Sequence, residues 1–217
     1  MGIPYIAIIL VMITVYVNRR AARTMRRDAE ARRAFWEREH AANFTRKKPL
    51  DHLAYIRIPE DLPLRTEDGL PMQAKEAADR ILRLREEEAK IVNLTGYTNT
   101  DLKLEYGTAN ITDLTFFDAN YTVLATSLQE CGKAFYENGR YGEAEKILEY
   151  AVQTETDITE TYRLLTDIYR TKRMLSPEAA KEKISALLTV AKGLRALSRD
   201  GIVALLEEAL LRLGEEV

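Results

Sequence analysis

Cysteine is almost absent: Cys131 is the single one in 217 residues. A lone thiol excludes an intramolecular disulfide and a cysteine-rich zinc site, and it suits a reducing compartment. Histidine is nearly as scarce, with only His40 and His52. No His-Glu-x-x-His spacing, glycine-rich phosphate loop or Gly-x-Ser-x-Gly elbow occurs, so the reactions those motifs serve have no machinery here. The expectation is a protein that is not an enzyme, with no metal and no cofactor. Glycine (10) and proline (6) are few, while Ala, Leu, Glu, Arg and Lys dominate. No long stretch alternates polar with apolar residues, so the composition points to an all-α fold. A hydrophobic content of 46% is enough to bury a core.

Long apolar runs are also missing, with one exception at the start. Ile3 to Val17 carries no charge, and Met1 and Gly2 lengthen the run. A hydrocarbon core asks for about 20 apolar residues, with a lower limit near 17. A cleavable leader needs basic residues before the run and small residues after it. Here nothing basic precedes, and Asn18-Arg19-Arg20 follows. A buried core helix fits poorly beside Arg19, Arg20, Arg23, Arg26 and Arg27. Residues 1–18 are therefore expected to form a single-pass transmembrane anchor in the cell membrane. Residues 1–50 hold 11 Lys/Arg against 4 Asp/Glu, while residues 51–217 hold 21 against 30. Basic residues beside a span stay on the cytoplasmic side, which places the N-terminus outside and the C-terminal domain in the cytoplasm. Met1-Gly2 is no myristoylation signal, because position 6 is Ile where Ser or Thr is required. Glycosylation sequons at Asn43, Asn93, Asn110 and Asn120 are inert in that topology.

Residues 19–42 continue as a basic juxtamembrane helix. It is either a solvated stalk or a patch held to anionic lipid headgroups, with Phe35 and Trp36 helping to dock it. Nucleic acid is a poorer partner, since the basic residues directly follow a span and the remainder is acidic. Pro49, Pro59, Pro63, Gly69 and Pro71 make 43–71 an extended linker or arm. Within it Leu53–Ile58 is apolar enough to lie on a surface, its own domain before a partner's. The domain follows at 72–217. Ala74, Ala77, Ala78, Ile81, Leu82, Arg85, Ala89 and Val92 predict a helix from Met72 to about Leu94. Two further helical segments follow at 99–107 and from 113, with Asn99 or Asp113 as N-cap.

From Ala125 residue types fall at offsets that stacked helical hairpins require. Leu128 and Cys131 are apolar, Gly132 is small and Phe135 aromatic; Gly139 and Tyr141 fall in the turn; Ala144, Leu148 and Ala151 follow in the second helix. Tyr162, Leu165 and Tyr169 repeat the first-helix positions, although Thr166 replaces the small residue. The second helix of this later unit fits when its turn is two residues longer, giving Ala180, Ile184 and Leu187, with Ser176-Pro177 as cap and first residue. Residues 125–190 thus resemble the tetratricopeptide repeat (TPR) family, with Leu128 in place of the usual Trp and Thr156 where Pro is common. The implied architecture is a TPR-like antiparallel helical-hairpin stack, an α-solenoid, behind the N-terminal helix. Because about three repeats are needed for stability, helices at 72–94, 99–124 and Gly201–Leu213 are expected to complete the core.

The resemblance implies protein or peptide binding on the face formed by the first helix of each pair. Its exposed positions are Gln129, Glu130, Lys133 and Tyr136, then Glu160, Arg163, Asp167 and Arg170. The Lys/Asn pattern that clamps the C-terminal carboxylate of heat-shock chaperones is not reproduced. The expectation is a membrane-anchored binding module or scaffold. The alternative is a structural or assembly subunit of a membrane complex, associating through the transmembrane helix and by oligomerisation of the domain.

Overall fold

The computed structural model describes residues 3–64, 71–172 and 175–215, the side chains of 3–11 and of 215 excepted. Among them every regular element is helical. In chain order these are α1 (Ile3–Asn43), α2 (Met72–Glu86), α3 (Asn99–Tyr106), α4 (Ile111–Glu137), α5 (Tyr141–Gln153), α6 (Thr159–Asp167), α7 (Pro177–Gly193) and α8 (Arg199–Glu215). A 3-10 turn at Thr108–Asn110 and a π-turn at Ile168–Lys172 join them. The chain divides into two compact units, one of residues 1–49 with 98–111, the other of 50–97 with 112–217. The stretch 98–111, expected inside the domain at 72–217, therefore groups with the N-terminal residues.

In the first unit α1 runs as one helix from Ile3 to Asn43. The anchor expected at 1–18 falls largely on side chains outside the described set. Among the described residues no helix is long and apolar enough to cross a membrane, so the structure lends the anchor no support of its own. Thr98, and not Asn99, caps α3: its hydroxyl accepts from the Asp101 amide and the Asp101 carboxylate accepts from the Thr98 amide. This reciprocal box satisfies two helix donors at once. Asp101 also pairs with Arg38 at 2.5 Å, and Lys103 reaches Glu39 at 2.5 Å and Asn43 at 2.8 Å, which ties α3 to the last turns of α1. Asn110 is wholly buried, and its amide nitrogen donates to the carbonyls of Lys48 and Tyr106, each at 2.7 Å.

In the second unit the two hairpins are α4–α5 and α6–α7. Leu128, Cys131, Phe135, Ala144, Leu148 and Ala151 are all buried in one core with Tyr162, Leu165, Tyr169, Ala180, Ile184 and Leu187. At Gly132 an added Cβ would stand 2.4 Å from Leu148 Cδ2, so the missing side chain is what lets α4 and α5 approach. Thr166 occupies its buried position with the hydroxyl donated to the Tyr162 carbonyl at 2.8 Å, which removes the cost of burying it. The turn after α4 closes by Gly139, φ 74°, with the Gly139 amide on the Tyr136 carbonyl and the Arg140 amide on that of Phe135. This is the paired bonding that a left-handed residue after a helix allows. Ser176 caps α7 by accepting from the Ala179 amide at 3.2 Å, with Pro177 first in the helix.

Both ends of this stack are closed by helices. On one side α2 presents Ala74, Ala77, Ala78, Ile81 and Leu84. Its Ala74 carbonyl accepts from the Cys131 thiol at 3.4 Å, and Arg80 donates to Ser127 at 3.0 Å. The helix expected to reach Leu94 stops at Glu86, because Glu88 turns left-handed (φ 48°) and the Ala89 amide bonds back to the Leu84 carbonyl at 3.0 Å. The segment around Leu53–Ile58 lies against its own unit: the Ile56 amide bonds the Ile91 carbonyl at 2.9 Å, and Tyr150 donates to the Arg57 carbonyl at 3.0 Å. On the other side α8 packs on α6 and α7. Its buried seam is Ile202, Leu206, Ala209 and Leu213, with Val203 and Leu210 half-buried at its flanks.

Candidate functional site

A cleft of about 370 Å³ lies between the last turn of α4, the α6–π-turn segment and α8. Tyr136 comes from α4; Arg163 and Asp167 come from α6; Arg170, Thr171 and Lys172 come from the π-turn. Leu205 and Ala209 of α8 give it an apolar side, with Glu208 and Arg212 on the adjoining turns. Asp167 is its hub. The Tyr136 hydroxyl donates to the carboxylate, Thr171 Oγ1 donates to it at 2.7 Å, and Lys172 Nζ lies 3.8 Å away.

The π-turn is what gathers these groups. In a regular helix residues three and four apart share a face, and a residue five apart falls away from it. Over Ile168–Lys172 the widened turn brings Lys172 back over Asp167, five positions earlier. Lys172 Nζ also lies 5.9 Å from the ring centres of both Tyr136 and Tyr141, which themselves meet edge-on at 5.6 Å.

Electrostatics follow the geometry. Partial burial acts to raise the Asp167 pKa, but hydrogen bonds from Tyr136 and Thr171 and the charges of Lys172 and Arg163 outweigh it and hold the carboxyl below its ordinary value. Burial, reinforced by the bond to Asp167 and its charge, pushes the Tyr136 phenol up to about 12. At neutral pH the pair is an ionised carboxylate and a neutral phenol. Such a pair fixes shape and charge at the floor of the cleft.

Of the eight residues expected on the binding face, the cleft gathers Tyr136, Arg163, Asp167 and Arg170. The other four are engaged elsewhere. Gln129 accepts from Thr161 at 2.5 Å, Glu130 pairs with Arg80 of α2, and Lys133 lies 3.8 Å from Glu137 on its own helix. Glu160 takes both Nε and Nη2 of Arg163, at 2.6 and 2.5 Å. Sequence reading missed Thr171, Lys172, Glu208 and Arg212. The two-residue excess in the second hairpin marked the place of the π-turn, whereas nothing in the repeat register pointed to α8.

On α1 Arg19, Arg20, Arg23 and Arg27 share one face with Tyr16 and Thr24, and Arg26, seven residues after Arg19, falls at the edge of that face by the helical period. Phe35 and Trp36, 55% and 66% exposed, meet edge to face at 5.4 Å. Among the described residues no group of three or more His, Cys, Asp or Glu is placed to hold a metal ion. Comparison of the chain with protein-family models, with curated proteins and with solved structures finds no match.

Proposed function

We propose that the chain is a membrane-tethered binding module in which a short TPR-like stack presents the α4–α6–α8 cleft to a protein or peptide partner. The observation that carries the reading is the convergence of Tyr136, Arg163, Asp167 and Arg170, named from repeat spacing alone, on one open concavity. Support for the TPR-like description lies in the burial of its large and small positions in both hairpins and in the close approach at Gly132. The tether is the apolar run at 1–18 with its basic flank, whose exposed Arg19, Arg20, Arg23 and Arg27 suit anionic headgroups.

A cytoplasmic location for the second unit draws support from its sequons. The amide nitrogen of Asn120 donates to the Lys90 carbonyl at 3.0 Å, and that of Asn93 to the carbonyls of Thr154 and Glu155 at 3.1 and 3.2 Å. A glycan on either nitrogen would displace a bond the fold uses, so the domain suits a compartment where such sites are left alone.

A second reading, an assembly subunit that associates through its N-terminal helix, is favoured by α1 itself, which is exposed at every position from Met12 to Arg38. One affinity-capture experiment on the full chain separates the two. Recovery of a specific partner that is lost with Tyr136→Ala and with Arg163→Glu is the expected result. Recovery unaffected by both substitutions and lost on removing residues 1–42 would replace the first reading with the second.

A further inference from the structure

We infer that the occupant of the cleft is an acidic segment of a partner protein, an extended peptide whose carboxylates meet Arg163, Lys172 and Arg212. The inference rests on the binding-module reading and names the chemistry of its ligand.

The argument is one of donors and acceptors. Four cations line the cleft, Arg163, Arg170, Lys172 and Arg212, against two carboxylates, Asp167 and Glu208. The carboxylates are committed. Asp167 accepts from Tyr136 and Thr171 and faces Lys172, while Glu208 accepts from Arg212. The donors are not exhausted. A guanidinium offers five N–H groups and an ammonium three. Arg163 spends its Nε and one Nη on Glu160, and Arg212 engages Glu208 through one nitrogen. Lys172 stands 3.8 Å from Asp167, outside hydrogen-bond distance. With four cations against two carboxylates, the cleft is richer in positive donors than in acceptors, the complement of a carboxylate-bearing chain.

Its shape argues for a peptide over a small anion. The apolar side formed by Leu205 and Ala209 and the ring of Tyr136 flank the charged floor. A segment alternating acidic with apolar side chains would use both, whereas inorganic phosphate would use only the charge. The π-turn matters here because it holds Lys172 over the same carboxylate as Tyr136, adding a cation that a regular helix would turn away.

The test uses the full chain in detergent micelles and fluorescence anisotropy with three labelled octapeptides, Glu-Glu-Leu-Glu-Glu-Leu-Glu-Glu and its all-Gln and all-Lys counterparts. The acidic peptide is expected to bind, with the Gln peptide weaker by about tenfold or more, as loss of charge-assisted bonding requires. Arg163→Glu and Arg212→Glu should each weaken the acidic peptide by about tenfold or more. Lys192→Glu on α7, outside the cleft, should leave it unchanged. Equal binding of the Gln peptide, equal loss with Lys192→Glu, or no binding of the acidic peptide overturns the acidic assignment. So does complete displacement of the acidic peptide by inorganic phosphate at its own concentration, which would mark a small-anion site. In each of those cases a captured partner still lost with Tyr136→Ala would leave the binding-module reading standing; failure of both would remove it.

Discussion

Replacing Gly132 by Ala tests the close approach on which the first hairpin depends. In an open helix interior the change stabilises by about 1 kcal/mol, because alanine surrenders less backbone entropy. At Gly132 the new Cβ would stand 2.4 Å from Leu148 Cδ2 and 2.6 Å from Cγ. Cγ is the branch point of the Leu148 side chain, and that residue is wholly buried, so the conflict is not relieved by swinging one methyl aside. Overpacking of this kind costs about 1–3 kcal/mol. With the upper half of that range set against the propensity gain, Gly132→Ala should destabilise by about 1–2 kcal/mol. Gly201, near the start of α8, is the control, since a Cβ there meets nothing within 4 Å. Gly201→Ala should be neutral or stabilising by up to about 1 kcal/mol. Urea unfolding followed by circular dichroism reads the difference, and hydrogen exchange at α4 and α5 amides localises it. Leu148→Ala should cost less in the Gly132→Ala background than alone, with a coupling of about 0.5–3 kcal/mol. If Gly132→Ala stabilised the protein as the control does, the contact between α4 and α5 would not be the one described.

Lys183 is the next target, because its ammonium bridges Glu145 at 2.6 Å and Glu149 at 2.7 Å while lying 4.8 Å from the Tyr169 ring centre. Lys183→Met would leave two facing carboxylates, one of them only 11% exposed. Discounted for the 39% exposure of the lysine, the loss should be about 1–3 kcal/mol by denaturant titration, and Lys183→Arg should recover most of it. In the first unit, hydrogen bonds from the Thr98 hydroxyl and amide and from Arg38 depress the Asp101 carboxyl to about 2. The unfolded value is about 3.9, so its contribution is complete above that and is lost as pH falls from about 4 to about 2. Protection of the α3 amides, corrected for the intrinsic exchange rate, should fall through that window, and Asp101→Asn should abolish the pH dependence while leaving α3 weakened throughout.

Where local chemistry decides structure, the sequence was readable. Gly132 is small because Leu148 lies against it; Asn138-Gly139 turns because position 139 must be left-handed; Ser176-Pro177 starts a helix because one caps and the other cannot continue a preceding strand of amide bonds. The end of α2 was not readable. Glu88 adopts φ 48° without being glycine or asparagine, and Glu86-Glu87-Glu88 looks like one more exposed helical turn. The same holds after α5, where Glu155 takes φ 59° and the Thr156 amide closes on the Ala151 carbonyl. At both places tertiary packing sets the backbone against local preference, at a cost of about 1–2 kcal/mol, and composition carries no trace of it.

The cleft shows why most of its residues escaped a reading by repeat register. Two hairpins expose apolar surface at each end, and the two ends are closed differently. Against α4 lies α2, whose alanines allow close packing and whose Arg80 takes up Glu130; that pairing withdraws one of the expected binding residues. Against α6 and α7 lies α8, which buries Ile202, Leu206, Ala209 and Leu213 and leaves Glu208 and Arg212 beside the open face. The helix that closes the core is thus also a wall of the cleft. Offsets within the hairpins could name Tyr136, Arg163 and Asp167, which stand on the first helices, and Arg170, two residues into the π-turn. They could not name Arg212, supplied by a helix outside the repeat, nor Lys172, which reaches the cleft only because a π-turn breaks the period that the offsets assume.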